Sequence, residues 1–337
     1  MDLISATDWH SAELHDLDWG DQSPPSSALA PERVLVVVDG SSGRVLARCA
    51  LWWQDTPPAG EAIPGVVGQF WSCDQGASTM LLAHACEMLA RQGCRLALGP
   101  MDRNTWHAHR LVTWSDGTAP FPLEPEQPAA WVQHWQAAGF VPTWHYHSSA
   151  AVPTPGDDPR SERIRARMQA QGMQLRPLQK DRFEQELAAI HQLSLQSFRR
   201  NLLYQPQSWD TFRQQYQPLK ALHEPRATVV AEDHHGLAGF LFAYPAPSVT
   251  ADGASRLVLK TIAVRPGRDC AGLGLLLADH AYQAACEAGY GEVIHALMQD
   301  SNRSALMRSE TARVFRRYAL FSRRLDQTTR RSSGGLS

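Results

Sequence analysis

Along the chain, runs with a two-residue hydrophobic period alternate with helical stripes, in an order that repeats. "RVLVVVDGSSGRVLARCALWW" is two β-rich runs around Asp39-Gly40-Ser41-Ser42-Gly43, which predicts a hairpin. "GVVGQFWSCD" predicts a third strand. In "ASTMLLAHACEMLARQGC", Leu81, Ala85, Met88 and Leu89 fall at i, i+4, i+7 and i+8 and make one apolar helix face. Gly93 stands where that helix should stop. "RLALGP" reads as a short buried strand, and an irregular Trp- and Pro-rich stretch follows it. A helix "AAWVQHWQAAG" and a strand near Phe140 to His147 complete this half. The first thirty residues, acidic and then Ser/Pro-rich, predict a short helix and a loop.

"PTPGDDPRSE", Pro153 to Glu162, has linker composition, and beyond it the pattern restarts. Arg163 to Gln171 predicts a helix, "MQLRPL" a strand, and "DRFEQELAAIHQLSLQSF" an amphipathic helix. "ATVVAEDHHGLAGFLFAYP" predicts a hairpin turning at Asp233 to Gly236, and "RLVLKTIAV" a strand. Leu273, Leu276, Leu277, Ala281 and Ala284 stripe the next helix; "EVIHALM" follows as a strand. A helix over Ser304 to Thr311 and a strand "VFRRYALFSRRL" close the fold. Both halves share the order hairpin, strand, helix, strand, helix, strand. This predicts a tandem duplication of one α+β unit, with domains at 1–155 and 160–326 and a disordered tail at 327–337.

Composition changes this picture little. A length of 337 residues suits about two domains. A net charge of −2 gives no nucleic-acid or membrane footprint. The six cysteines include no CxxC pair, and His145 and His147 share a strand face without a third ligand, so no metal site is expected. The start lacks a basic and then apolar leader, and no apolar run reaches the roughly 18 residues of a membrane span, so a cytoplasmic protein is expected. Ten of the eleven tryptophans lie between Trp9 and Trp144, which suits a packed interface or an aromatic acceptor pocket.

The chemistry concentrates in "AVRPGRDCAGLGLLLADH", Ala263 to His280. An apolar strand runs through a Pro-Gly turn into a small-residue loop, and then a helix opens. The first turn of a helix has unpaired N–H groups and a partial positive charge, and bare backbone there admits a phosphate. Gly272 and Gly274 therefore fit a pyrophosphate cradle, or else tight strand-to-helix packing. No third glycine follows at the dinucleotide-fold spacing, and there is no Gly-Lys-Ser/Thr.

"VRPGRDCAGLGLLL", followed by a helix, a strand and "SNRSALM", resembles the GNAT acetyltransferase superfamily. That family's central motif reads Val-x-Pro and then Arg/Gln-x-x-Gly-x-Gly/Ala; Val264, Pro266, Gly272 and Gly274 match it. Asp269 stands where Arg or Gln is usual, and an anion beside a pyrophosphate is unfavourable; the adjacent Arg268 is the cation that could answer it. The likeness covers roughly Met173 to Leu325. It implies an α+β fold (an α/β sandwich), in which each of two GNAT-like domains has a mixed, mostly antiparallel sheet flanked by helices. It also implies acetyl-CoA as co-substrate, held by the loop residues Arg268, Asp269, Cys270, Ala271, Gly272, Leu273, Gly274 and Leu275. The strand residues Ile262, Ala263 and Val264 would pair with the pantetheine amides, and Asn302 matches a family asparagine near the cofactor, though it also suits a helix N-cap region.

"LGPMDRNTWH" and "PFPLEPEQPAAWVQHWQAAGF" in the first half resemble the amino-terminal part of tandem GNAT-like proteins. The loop "DQGAS" there lacks the paired glycines and the basic residue, so the first half is expected to shape the acceptor pocket and not to hold CoA. The resemblance implies an N-acyltransferase acting on a small amine or amino-acid-like acceptor between the domains, as a monomer or homodimer. The alternative is a non-catalytic acyl-CoA-binding or interaction protein. The strand positions where the family often carries a Glu or His base are Val258 and Lys260, and the position of the usual Tyr acid is Ser309. The remaining candidates for proton transfer are His295, Glu232 and Tyr318. Each also has an ordinary structural reading: a half-buried histidine, a hairpin end and a core tyrosine. Glu124, beside Pro125, fits a turn or an amine-receiving carboxylate.

Overall fold

A computed structural model describes every residue except 26, 61–63, 155–158, 251, 302–311 and 326–337. The expected helix at Ser304 to Thr311, Ser309, Asn302 and the tail at 327–337 lie outside the described residues. In the first half the order is β1 (Asp2–Ala6), β2 (Arg33–Val38), β3 (Val45–Trp52), β4 (Gly65–Ser72), α1 (Gln75–Arg91), β5 (Leu96–Gly99), β6 (Leu111–Ser115), α2 (Ala130–Ala137) and β7 (Val141–Ala151). In the second it is α3 (Pro159–Ala170), β8 (Gln174–Pro177), α4 (Phe183–Ser197), α5 (Trp209–Tyr216), β9 (Val229–Asp233), β10 (Gly236–Val249), β11 (Ser255–Val264), α6 (Leu273–Glu287), β12 (Glu292–Gln299) and β13 (Arg313–Arg324).

Both hairpins form where the turn residues stand. Asp39 Oδ1 accepts the N–H groups of Ser41 and Ser42 at 3.0 Å each, and Gly43 takes a φ of 71°. Gly236, at φ 99°, pairs with Asp233 across the second turn. The amino-terminal segment departs from expectation. Residues 2–6 form a strand on β2, since the alternating Leu3 and Ile4 complete a sheet edge, and only 3₁₀ turns follow. Helix α5 adds to the expected elements, and Phe212 anchors it against α4.

The strands make one mixed sheet in the order β1-β2-β3-β4-β5-β13-β7-β12-β11-β10-β9-β8, with β6 added to β13. Only β4–β5 and β11–β12 are parallel; the other pairings are antiparallel. The central strands are exchanged. β13, from the end of the chain, pairs with β5 of the first half, and β7, which ends the first half, pairs with β12 of the second. The boundary near residues 155–160 thus separates chain segments but not sheets. Helices α1 and α2 cover one face of the first half over a core of Leu35, Leu51, Leu81, Trp135 and Phe321. Helices α3 and α6 cover one face of the second half, and α4 with α5 the other. Trp106 joins the halves. Its ring packs against Phe198, Tyr204 and Phe212, and its Nε1–H donates to the Gln205 carbonyl at 2.7 Å.

Candidate active site

The two parallel pairs are where the sheet opens. β11 and β12 pair from Arg256↔Glu292 to Leu259↔His295 and no further. Beyond that point β11 stays with β10, through Leu241↔Ile262, Phe240↔Ala263 and Gly239↔Val264, while β12 bulges at Leu297 (φ 56°) and stays with β7. The strands therefore splay, and a cleft of about 680 Å³ lies at the opening. Its walls come from both halves: Trp106, His109, Arg110 and Glu124 from the first, Lys260 and His295 from the second.

At the end of β11 the chain turns into α6. Gly272 is the N-cap residue at φ 88°, where no side chain caps the helix. The N–H groups of Gly272 and Gly274 find no acceptor among the described residues, so this helix end presents bare donors. The two glycines do different work. A Cβ on Gly272 would lie 2.8 Å from Ile164 Cδ1 on α3, so that side chain would have to shift, and the positive φ favours glycine there. A Cβ on Gly274 would meet only Val264 and Ile262 side chains, at 3.8 and 3.9 Å. Asp269 is answered by Arg265, not by Arg268. Arg265 Nη2 lies 3.2 Å from Asp269 and 2.5 Å from Asp233, and the hydrogen bond to Arg265 holds the Asp269 carboxyl below its usual range. Arg268 is exposed at the loop surface, and Cys270 is buried beneath it. Ala271 offers its carbonyl to Arg167 of α3, while Leu273 and Leu275 begin the helix by bonding back to Cys270 and Gly272. The Val264 N–H donates to Ser197 Oγ at 3.3 Å.

The first half repeats this geometry and closes it. β4 and β5 pair over two positions only, Gly65↔Ala97 and Val66↔Leu98. The chain after β5 then fills the gap: the Met101 N–H donates to the Val67 carbonyl at 2.9 Å, and a Cβ on Gly68 would lie 2.1 Å from the Met101 carbonyl oxygen. Asp102 accepts the Gln69 N–H at 2.6 Å, Arg48 donates to the Gln69 carbonyl at 3.0 Å, and burial pushes the Asp102 carboxyl up to about 6. At the start of α1 the Asp74 carboxylate accepts the Ala77 N–H at 2.7 Å. An anion of the protein's own thus occupies the helix end that α6 leaves bare.

The proton-transfer candidates separate. His295 lines the cleft, and its Nε2 is 2.7 Å from the Tyr282 hydroxyl of α6. Tyr318 does not line the cleft. It is fully buried on β13 between Ser148 and Glu124, and burial raises its hydroxyl far above the ordinary tyrosine range. Glu232 is on β9, two strands from β11, where Arg176 grips it with two bonds of 2.9 Å and holds its carboxyl down. Glu232 does not line the cleft, and its carboxylate is taken up by Arg176. Glu124 lines the cleft but is spoken for by Arg316 at 2.5 Å and by Tyr318. Two cations face the cleft instead: Arg110, which sequence reasoning passed over, and Lys260, which stands at a strand position where the family often carries a base. Lys260 has no hydrogen-bond or ion-pair partner among the described residues, and burial pushes its ammonium down to about 8, with the Arg110 charge adding to the effect. Arg110, at φ 72°, stacks its guanidinium 4.1 Å from the Tyr146 ring centre.

A region of a fungal multi-domain β-N-acetylglucosaminidase, described as a GCN5-related glucosamine N-acetyltransferase, superposes with a TM-score of 0.50 at 13 % identity, over 86 % of this chain and 33 % of that one. The fold is that of the GCN5-related N-acetyltransferases. This chain spans a third of that larger protein. A GCN5-related N-acetyltransferase from Sphaerobacter thermophilus is also similar, with a TM-score of 0.48 and 14 % identity over 87 % of this chain and 80 % of that one. So is a tandem GNAT protein from the clavulanic acid biosynthesis pathway, with a TM-score of 0.47 and 14 % identity over 96 % and 99 %. No family model and no curated protein matches this sequence. The mixed sheet flanked by helices is consistent with that fold. Among the described residues there is no group of His, Cys, Asp or Glu fit to hold a metal, and no helix is long and apolar enough to cross a membrane.

Proposed function

We propose that the chain is an acetyl-CoA-dependent N-acyltransferase whose second half holds the co-substrate and whose inter-half cleft receives a small amine. One observation carries the reading: the β11–β12 splay opens onto the cleft and ends at a helix whose first amides are bare. The plugged splay and self-capped helix of the first half support a single co-substrate site.

Acetyl-CoA supplies an acetyl group as a thioester. The residues to hold it are the amides of Gly272 and Gly274 for the diphosphate, with Arg268 at the rim. Arg265 keeps Asp269 from repelling that charge. The backbone of Ile262, Ala263 and Val264 has no partner strand on the β12 side and orients the pantetheine arm, the Val264 N–H being held by Ser197 Oγ. Acceleration then comes largely from holding two reactants together in one cleft. The attacking amine must lose a proton first. Among the three expected carriers, His295 is the one beside the cleft, backed by the Tyr282 hydroxyl.

Calorimetry with acetyl-CoA and thiol release over an amine panel test the reading. Gly274→Glu should abolish binding without unfolding the chain, since its Cβ has room. Binding without thiol release on any amine would favour a non-catalytic acyl-CoA-binding protein; no binding at all would overturn both.

A further inference from the structure

The charges on the cleft wall are out of balance. Arg110 and Lys260 both face it, and among the described lining residues Glu124 is the single carboxylate. Glu124 is already neutralised by Arg316. Arg110 has a carbonyl partner, Leu297 at 3.3 Å, but no carboxylate; its Nε is buried without an acceptor. Lys260 has no partner at all among the described residues. Burying cations without counter-ions costs stability, and burial lowers the proton affinity of both groups. A ligand carboxylate would repay both residues at once.

The same wall continues into an apolar crevice under α4 and α5. Trp106, Phe198, Tyr216 and Lys260 line both spaces, and Phe212 and Phe240 close the far end. The crevice surface is almost wholly apolar. A charged group at its mouth and an apolar one inside is therefore the arrangement that leaves neither stranded.

We propose that the acceptor is an amino acid with an apolar side chain, its carboxylate held between Arg110 and Lys260 and its side chain in the crevice behind Trp106. This rests on the transferase reading, and binding tests it apart from turnover. On the full chain without acetyl-CoA, saturation-transfer NMR should show N-acetylleucine bound, and N-acetylleucinamide weaker by about 10–100-fold, the range of a lost charge-assisted contact. Arg110→Met should erase that preference and Arg110→Lys keep part of it, with melting curves reporting whether each variant folds. Lys260→Met, which removes the second cation and leaves the Tyr146 stack alone, should also weaken the acid selectively. N-acetylglycine should bind more weakly than N-acetylleucine.

Equal affinity for acid and amide, no binding of the acid at millimolar concentration, or a preference surviving in both variants overturns the carboxylate site. Equal affinity for the glycine and leucine compounds overturns the apolar crevice. In turnover, leucine should outperform leucinamide and 3-methylbutylamine, and the reverse order counts against the proposal. Loss of acetyl-CoA binding with the acid preference intact would sink the transferase reading and leave the anion site standing.

Discussion

Tyr146 of β7 lies directly across from Tyr318 of β13, at the centre of the sheet. The first residue belongs to the amino-terminal half and pairs into the carboxy-terminal sheet; the second does the converse. Each half therefore leaves an unpaired β5-type edge without the other's last strand. Chains of residues 1–155 and 160–337 expressed alone should lack cooperative unfolding by circular dichroism, and mixing them should restore it. Independent cooperative melting of either fragment would refute this dependence.

Lys260 should lower stability. Its ammonium is held at about 8 in the folded chain, against about 10.5 when free. Below pH 8 both states are charged and the full burial penalty applies. Between pH 8 and 10.5 the unfolded chain holds a proton the native chain has released, so stability gains with rising pH. Lys260→Met should thus stabilise the protein by about 1–3 kcal/mol at pH 7, with the gain shrinking by pH 10. Urea denaturation at the two pH values measures it, and a destabilised variant at pH 7 would contradict the geometry.

Gly272 and Gly274 should respond differently to alanine. At Gly272 the new Cβ meets Ile164 at positive φ, so a loss of about 1–3 kcal/mol is expected without ligand. Gly274→Ala sits in ordinary contact on a helix and should leave the ligand-free melting temperature level or slightly raised. Its effect should appear as a smaller acetyl-CoA-induced shift. Equal behaviour of the two variants in both measurements would undo the division of roles.

Glu232→Gln should leave kcat/KM unchanged while loosening the β8–β9 edge, because its partner is Arg176 and not the cleft. Steady-state assays with the melting temperature read both effects. A loss of turnover with unaltered stability would return Glu232 to the site.

Much of this was legible along the chain. Both hairpins, the stop at Gly93 and the loop from Arg265 into α6 depend on turn residues, glycines and hydrophobic periods that act over a few positions. Such signals survive in sequence because the forces behind them are local. The amino-terminal strand was missed because five residues become a strand only when β2 offers them an edge. Asp269 was matched to Arg268 by adjacency, yet Arg265, four residues earlier in the same loop, reaches it.

What tertiary structure alone decided is the cleft. Arg110 is unremarked in its own segment, Lys260 stood out only as a lysine where the family often has a Glu or His, and Glu124 looked available until Arg316 came in from the last strand. Strand exchange brings these distant segments together, and the resulting burial, which no local pattern encodes, turns ordinary charges into unpaired ones. The sequence by itself determined the repeated unit and the bare helix end; folding determined which half stays open and what faces the opening.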